Sequence, residues 1–106
     1  MLQKYLDLKT KYIALETDLQ NPVILGDQQK LKTVSQEYNE LKPIVEKIEV
    51  LEKIESTITE YKTMIAANED TDLIELARTE LPELETKKIE LDNTLAELTR
   101  PTDPMD

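Results

Sequence analysis

The residues of this chain that could do chemistry are carboxylates at helical spacing. Glu46, Glu49 and Glu52 recur at every third position, and Glu80, Glu83 and Glu90 form a second set. Such spacing stacks carboxylates on one face of a helix, where paired metal ions could be held. Bundles that hold them also place a histidine three residues after a glutamate, and this chain has no histidine. The six glutamates therefore read as solvated faces. Asp70-Thr71-Asp72 opens like a calcium loop, which needs glycine at its sixth position and a bidentate glutamate at its twelfth. Glu75 and Leu81 stand there instead. These acids suit the start of a helix, where the macrodipole favours negative charge. No metal and no other cofactor is expected.

Nucleophilic chemistry fares no better. Cysteine is absent, and Ser35 and Ser56 have no histidine to activate them. The one glycine, Gly26, leaves no phosphate-cradling loop. An enzyme is not the expectation. Tyr5 and Tyr12, set among Lys4, Lys9 and Lys11, could stack nucleic-acid bases while the cations meet phosphates. The same tyrosines lie on an apolar stripe continued by Leu2, Leu19 and Tyr38, which is the simpler account of them.

The elements that would position these residues are helices. The chain is 39% apolar and 34% charged, a balance suited to long helices with narrow apolar seams. Leu2, Tyr5, Leu6, Tyr12, Ile13, Leu15 and Leu19 recur near a 3.6-residue period and predict a first helix over 2–19. Asn21-Pro22 stops it, and Gly26-Asp27 supplies a turn and an N-cap for the next. From Gln28 to Ala66 a second helix carries a heptad seam through Leu31, Val34, Tyr38, Leu41, Val45 and Ile48. One residue is then lost at Leu51 and Ile54, a stammer, before Ile58, Tyr61 and Ile65 resume the alternation. Pro43 should kink this rod or begin a fresh helix.

Residues 68–72 break the period. Beyond them Ala77, Leu81, Leu84, Leu91, Leu95 and Leu98 form a third seam, with Pro82 as a second kink and Lys88 at a position an apolar residue should fill. Its stem can cover the seam while the charge stays wet. Glu49–Lys53 and Glu83–Lys87 are spaced as i,i+4 pairs. Two seams cannot both face water, so the fold expected is all-α. It is a long antiparallel helical hairpin, coiled-coil-like, with the shorter N-terminal helix packed alongside. Residues 1–98 are expected to form a helical docking domain, and residues 99–106 to begin a linker to a downstream domain absent from this sequence.

Charge is uneven. Residues 1–45 balance six acids with six bases, whereas residues 46–106 hold 17 acids against seven bases and so carry the whole net charge of −10. An acidic surface repels phosphate, so no direct grip on nucleic acid is expected. No apolar run exceeds four residues, which excludes a membrane span or signal peptide and, with the absence of cysteine, suits the cytoplasm. The exposed turn Asn68, Glu69, Asp70, Thr71 and Asp72 is the candidate partner-binding site, because a hairpin tip is free to touch another molecule.

Three stretches carry a resemblance. Asp27-Gln28 followed by Val34-Ser35-Gln36-Glu37-Tyr38-Asn39-Glu40-Leu41-Lys42-Pro43-Ile44-Val45-Glu46 is similar to the second helix of bacterial class I peptide chain release factors. Leu76-Ala77-Arg78-Thr79-Glu80-Leu81 resembles the stretch that follows that family's acidic turn. Leu98-Thr99-Arg100-Pro101-Thr102-Asp103-Pro104-Met105-Asp106 resembles its exit, with Thr99 and Arg100 in place of leucines and Thr102 in place of lysine. Together the pieces span the chain in order.

The resemblance implies the N-terminal helical domain of a factor that acts in translation termination, of the type reading UAA and UAG. It implies a ribosomal partner at the stalk base and GTPase-associated centre, and the class II release factor as another. Peptidyl-tRNA hydrolysis in that family depends on a Gly-Gly-Gln loop, which a chain with one glycine cannot contain. The alternative from another class is a free-standing coiled-coil adaptor or prefoldin-like chaperone subunit, an obligate oligomer. A detached release-factor domain could also dimerise through its narrow seams.

Overall fold

Three of the four described helices begin at a residue whose side chain caps them, Asn21, Asp27 or Asp70; the first begins at Leu2 without one. The computed structural model describes residues 1–100 and builds them into α1 (Gln3–Asp18), α2 (Pro22–Leu25), α3 (Gln28–Ala67) and α4 (Thr71–Leu98). No strand occurs among the described residues. Asp27 caps α3, its carboxylate accepting from the backbone N–H of Gln29 at 3.0 Å and Lys30 at 3.2 Å. These bonds satisfy donors that have no partner inside a helix. The linker expected at 99–106 lies, from residue 101 on, outside the described residues.

Between α1 and α3 the chain makes one helical turn that periodicity does not reveal. Asn21 accepts from the N–H of Val23 at 2.9 Å, and Pro22 occupies the first helical position, where its missing donor costs nothing. Four residues are too few for an amphipathic period, so the sequence reads there as a turn.

The chain divides into two units, Met1–Ile48 and Glu49–Asp106. In the first, α1 packs on the opening half of α3. Leu15, Leu41 and Val45 form the buried cluster, with Leu8, Tyr12, Val34, Tyr38 and Ile44 against it. In the second, α4 runs antiparallel to the closing half of α3. Tyr61 meets Glu80 and Lys62 meets Glu85, whereas Glu55, farther back on α3, meets Lys88, farther along α4.

All eleven apolar seam positions of α3, from Leu31 to Ile65, are buried or half-buried. The residue dropped from the heptad falls at Ile48–Leu51, where one unit ends and the next begins. Pro43 does not start a new helix: α3 runs through it, and α4 runs through Pro82. Both prolines are exposed.

The stripe on α1 is narrower than expected. Tyr5 and Leu15 are buried, but Leu2, Leu6 and Ile13 are 59%, 40% and 60% exposed. Those three are spaced four and seven residues apart, which sets them on a line of their own beside the buried one. On α4, Ile74 is buried although the seam starts at Ala77 in the sequence reading, and Leu98 is 47% exposed.

Candidate docking site

The tip that joins α3 to α4 is built by two residues with opposite tasks. Asn68 takes φ 52°, the left-handed conformation that asparagine tolerates better than most side chains. Its N–H bonds the Met64 carbonyl at 3.2 Å, so the chain leaves α3 by a left-handed cap. Two residues on, Asp70 opens α4, its side chain accepting from the N–H groups of Asp72 at 3.0 Å and Leu73 at 3.4 Å.

The structure therefore sorts the five expected site residues. Asn68 and Asp70 make the turn. Glu69, Thr71 and Asp72 are exposed beside them.

Below the tip, polar side chains bridge the two helices. The Tyr61 hydroxyl donates to Glu80, and both residues are half-buried. That bond, with burial and the Glu80 and Glu60 charges adding to it, holds the phenol above its ordinary value of 10. Lys88 explains its own misfit in the seam. Its ammonium donates to Asp92 at 3.1 Å within α4 and lies 4.0 Å from Glu55 on α3. Lys62 reaches Glu85 at 3.8 Å. The spacing-derived pairs Glu49–Lys53 and Glu83–Lys87 are not the ones drawn; cross-helix register recruits other partners. No one-helix pattern signals Tyr61–Glu80 or Glu55–Lys88.

The carboxylate stripes are surfaces. Glu46, Glu49, Glu83 and Glu90 are exposed, and Glu80 is engaged by tyrosine. Among the described residues no group of three or more such ligands is placed to hold a metal ion. No described helix is long and apolar enough to cross a membrane.

In the first unit the tyrosines serve the core. Tyr5 is 2% exposed, and Tyr12 stacks on Tyr38 with ring centres 4.7 Å apart and planes 13° from parallel. A ring already stacked offers no open face to a base on that side. Lys4 lies 5.3 Å from the Tyr5 ring centre. A shallow groove lined by Lys11, Glu37, Glu40, Leu41 and Ile44 carries mixed charge.

Hydrogen bonding with Tyr38 leads the causes that push the Tyr12 pKa up to about 12; burial and the charges of Tyr38, Glu16 and Glu46 add to it. A raised folded-state value means the neutral phenol stabilises the fold. That contribution is complete below pH 10, the unfolded value, and is lost as pH climbs toward about 12. Tyrosinate absorbance on base titration should include a component delayed toward pH 12, absent in Tyr12→Phe. A variant titrating like the parent chain would show that the stack does not hold the proton.

The PCRF domain family model matches residues 8–106. Over all 106 residues the chain is 32% identical to peptide chain release factor 1 of Geobacter sulfurreducens, covering 29% of that relative. It is 32% identical to peptide chain release factor 1 of Lawsonia intracellularis, covering 29% of it. It is 31% identical to peptide chain release factor 1 of Caldicellulosiruptor saccharolyticus, covering 30%. The chain thus spans 29–30% of the length of these relatives. No solved structure matches it.

Proposed function

The chain belongs to the PCRF domain family, and on that premise we propose that it serves translation termination as the helical docking domain of a peptide chain release factor. The observation that carries this reading is the agreement with relatives named peptide chain release factor 1 along the whole of the chain. The adaptor or prefoldin-like alternative has no comparable support. A role on the ribosome accords with a cytoplasmic setting and with the UAA- and UAG-reading type of factor. The domain docks toward the stalk base, the GTPase-associated centre and the class II release factor. Codon reading and peptidyl-tRNA hydrolysis fall to other parts of the factor, and the lack of a Gly-Gly-Gln segment in this sequence supports the second of these.

The contact is assigned to the tip at Asn68, Glu69, Asp70, Thr71 and Asp72, which is exposed throughout. The test is a chimera in which this chain replaces the matching 29% of the Geobacter sulfurreducens factor. It should release peptide from stop-programmed ribosomes well above the factor lacking that segment. Serine at positions 69, 70 and 72 of the chimera should lower class II-dependent turnover while keeping the helical content, since serine retains a capping oxygen at position 70. Release no better than that of the truncated factor would sink the assignment to termination. Unchanged turnover in the serine variant would remove the tip from it.

A further inference from the structure

Just past the tip, α4 exposes two leucines one turn apart: Leu73 is 46% and Leu76 48% exposed. Residues three and four apart are neighbours on a helix surface, so the pair forms one apolar patch. The same spacing places Asp72 and Glu80 four residues to either side of Leu76 and Glu83 seven after it, while Glu69 is exposed in the turn just before the Asp70 cap. Glu80 is engaged by Tyr61, whereas Glu69, Asp72 and Glu83 have no side-chain partner among the described residues. Arg78, the one base in this part of α4, stands five residues from Leu73 and two from Leu76, which turns it to the other side of the helix. Lys87 appears on the acid side only a turn beyond Glu83.

We infer that Leu73 and Leu76 with the carboxylates of Glu69, Asp72 and Glu83 form a docking surface for a basic protein that presents an apolar side chain among lysines or arginines. This rests on the docking role proposed above and names the chemistry of the partner at that site. Two leucines bury too little surface to hold a partner alone, so they form the apolar centre and the acids the polar rim. The charge selects the occupant. Residues 46–106 carry the entire net charge of −10, so a second copy is repelled by charge, and RNA and anionic lipid headgroups are repelled in the same way. A basic protein surface is attracted.

The experiment uses the 106-residue chain and bacterial 70S ribosomes, with binding followed by co-sedimentation. Leu73→Gln with Leu76→Gln keeps helix-forming residues at exposed positions, and circular dichroism should match the parent chain. Affinity should fall roughly tenfold or more. Glu69→Gln, Asp72→Asn and Glu83→Gln together should also weaken binding and flatten its dependence on salt. With p-benzoylphenylalanine at position 76, photo-crosslinking should capture a ribosomal protein rich in lysine and arginine.

If the unaltered chain does not bind, the docking reading itself fails and this inference with it. Binding that survives both variants overturns the inference alone, as does a crosslink to RNA or to a second copy of the chain.

Discussion

Replacing Leu95 with alanine is expected to lower the free energy of unfolding by about 3 kcal/mol, within the roughly 2–5 kcal/mol found for buried leucines. Leu95 is 0% exposed, and only ten apolar side chains among the described residues are buried. A core this thin leaves few other contacts to absorb the loss. The alanine forfeits the transfer energy of the removed carbons and leaves a cavity its helical neighbours fill only in part. Against a typical total of about 5–15 kcal/mol for a domain, that is a large share. Ile89 on the same helix is 60% exposed, so Ile89→Ala should change stability by less than about 0.5 kcal/mol. Urea unfolding followed by circular dichroism separates the two. Equal losses would mean that burial does not govern stability in α4.

The strongest features of the sequence were those a single helix can express. A stripe repeating every three and four residues requires a covering partner, and every seam position of α3 from Leu31 to Ile65 has one. The dropped heptad residue at Ile48–Leu51 is equally legible, and it marks the place where one unit gives way to the next. Failures occur where a stripe is short or ambiguous. On α1 the period alone merges Leu2, Leu6 and Ile13 with the Tyr5–Leu15 line, because sixteen residues of mixed spacing fit a broad stripe as well as a narrow one. The turn at Pro22–Leu25 is shorter than any period that could announce it.

The site divides in the same way. Asp70 as a cap and Asn68 as a breaker follow from local chemistry, since each acts on backbone groups within four residues of itself. The Tyr61–Glu80 bond and the Glu55–Lys88 approach depend on which turn of α4 lies against which turn of α3. Periodicity says that two seams meet but leaves their sliding register free. Lys88 was the visible trace of that register. A lone cation in an apolar seam asks for an acid on the facing helix, and Glu55 supplies it. Leu73 and Leu76 were legible as apolar residues but not as exposed ones, because their place beside the seam depends on how α4 is rotated against α3.

Pro43→Ala should raise stability by about 2 kcal/mol. A proline inside a helix removes one ladder bond and crowds the carbonyl four residues back, which together cost about 3 kcal/mol. In α3 that carbonyl belongs to Asn39, and residues 39 and 43 are both exposed, so alanine restores the bond without opening a cavity. The gain is reduced by about 0.4–1 kcal/mol, because alanine gives the unfolded chain freedom that proline denies it. Pro82, also exposed and inside α4, should respond in the same direction, and the two effects should add because the residues lie in different units. Pro22 is the control with the opposite sign. At the first position of α2 its fixed φ already suits the helix, so Pro22→Ala should be neutral or lose up to about 1 kcal/mol. Comparing urea midpoints at unchanged slope reads all three. If Pro43→Ala proves less stable than its parent, then the ring makes contacts worth more than a helix bond, and α3 does not run through position 43 as an ordinary ladder.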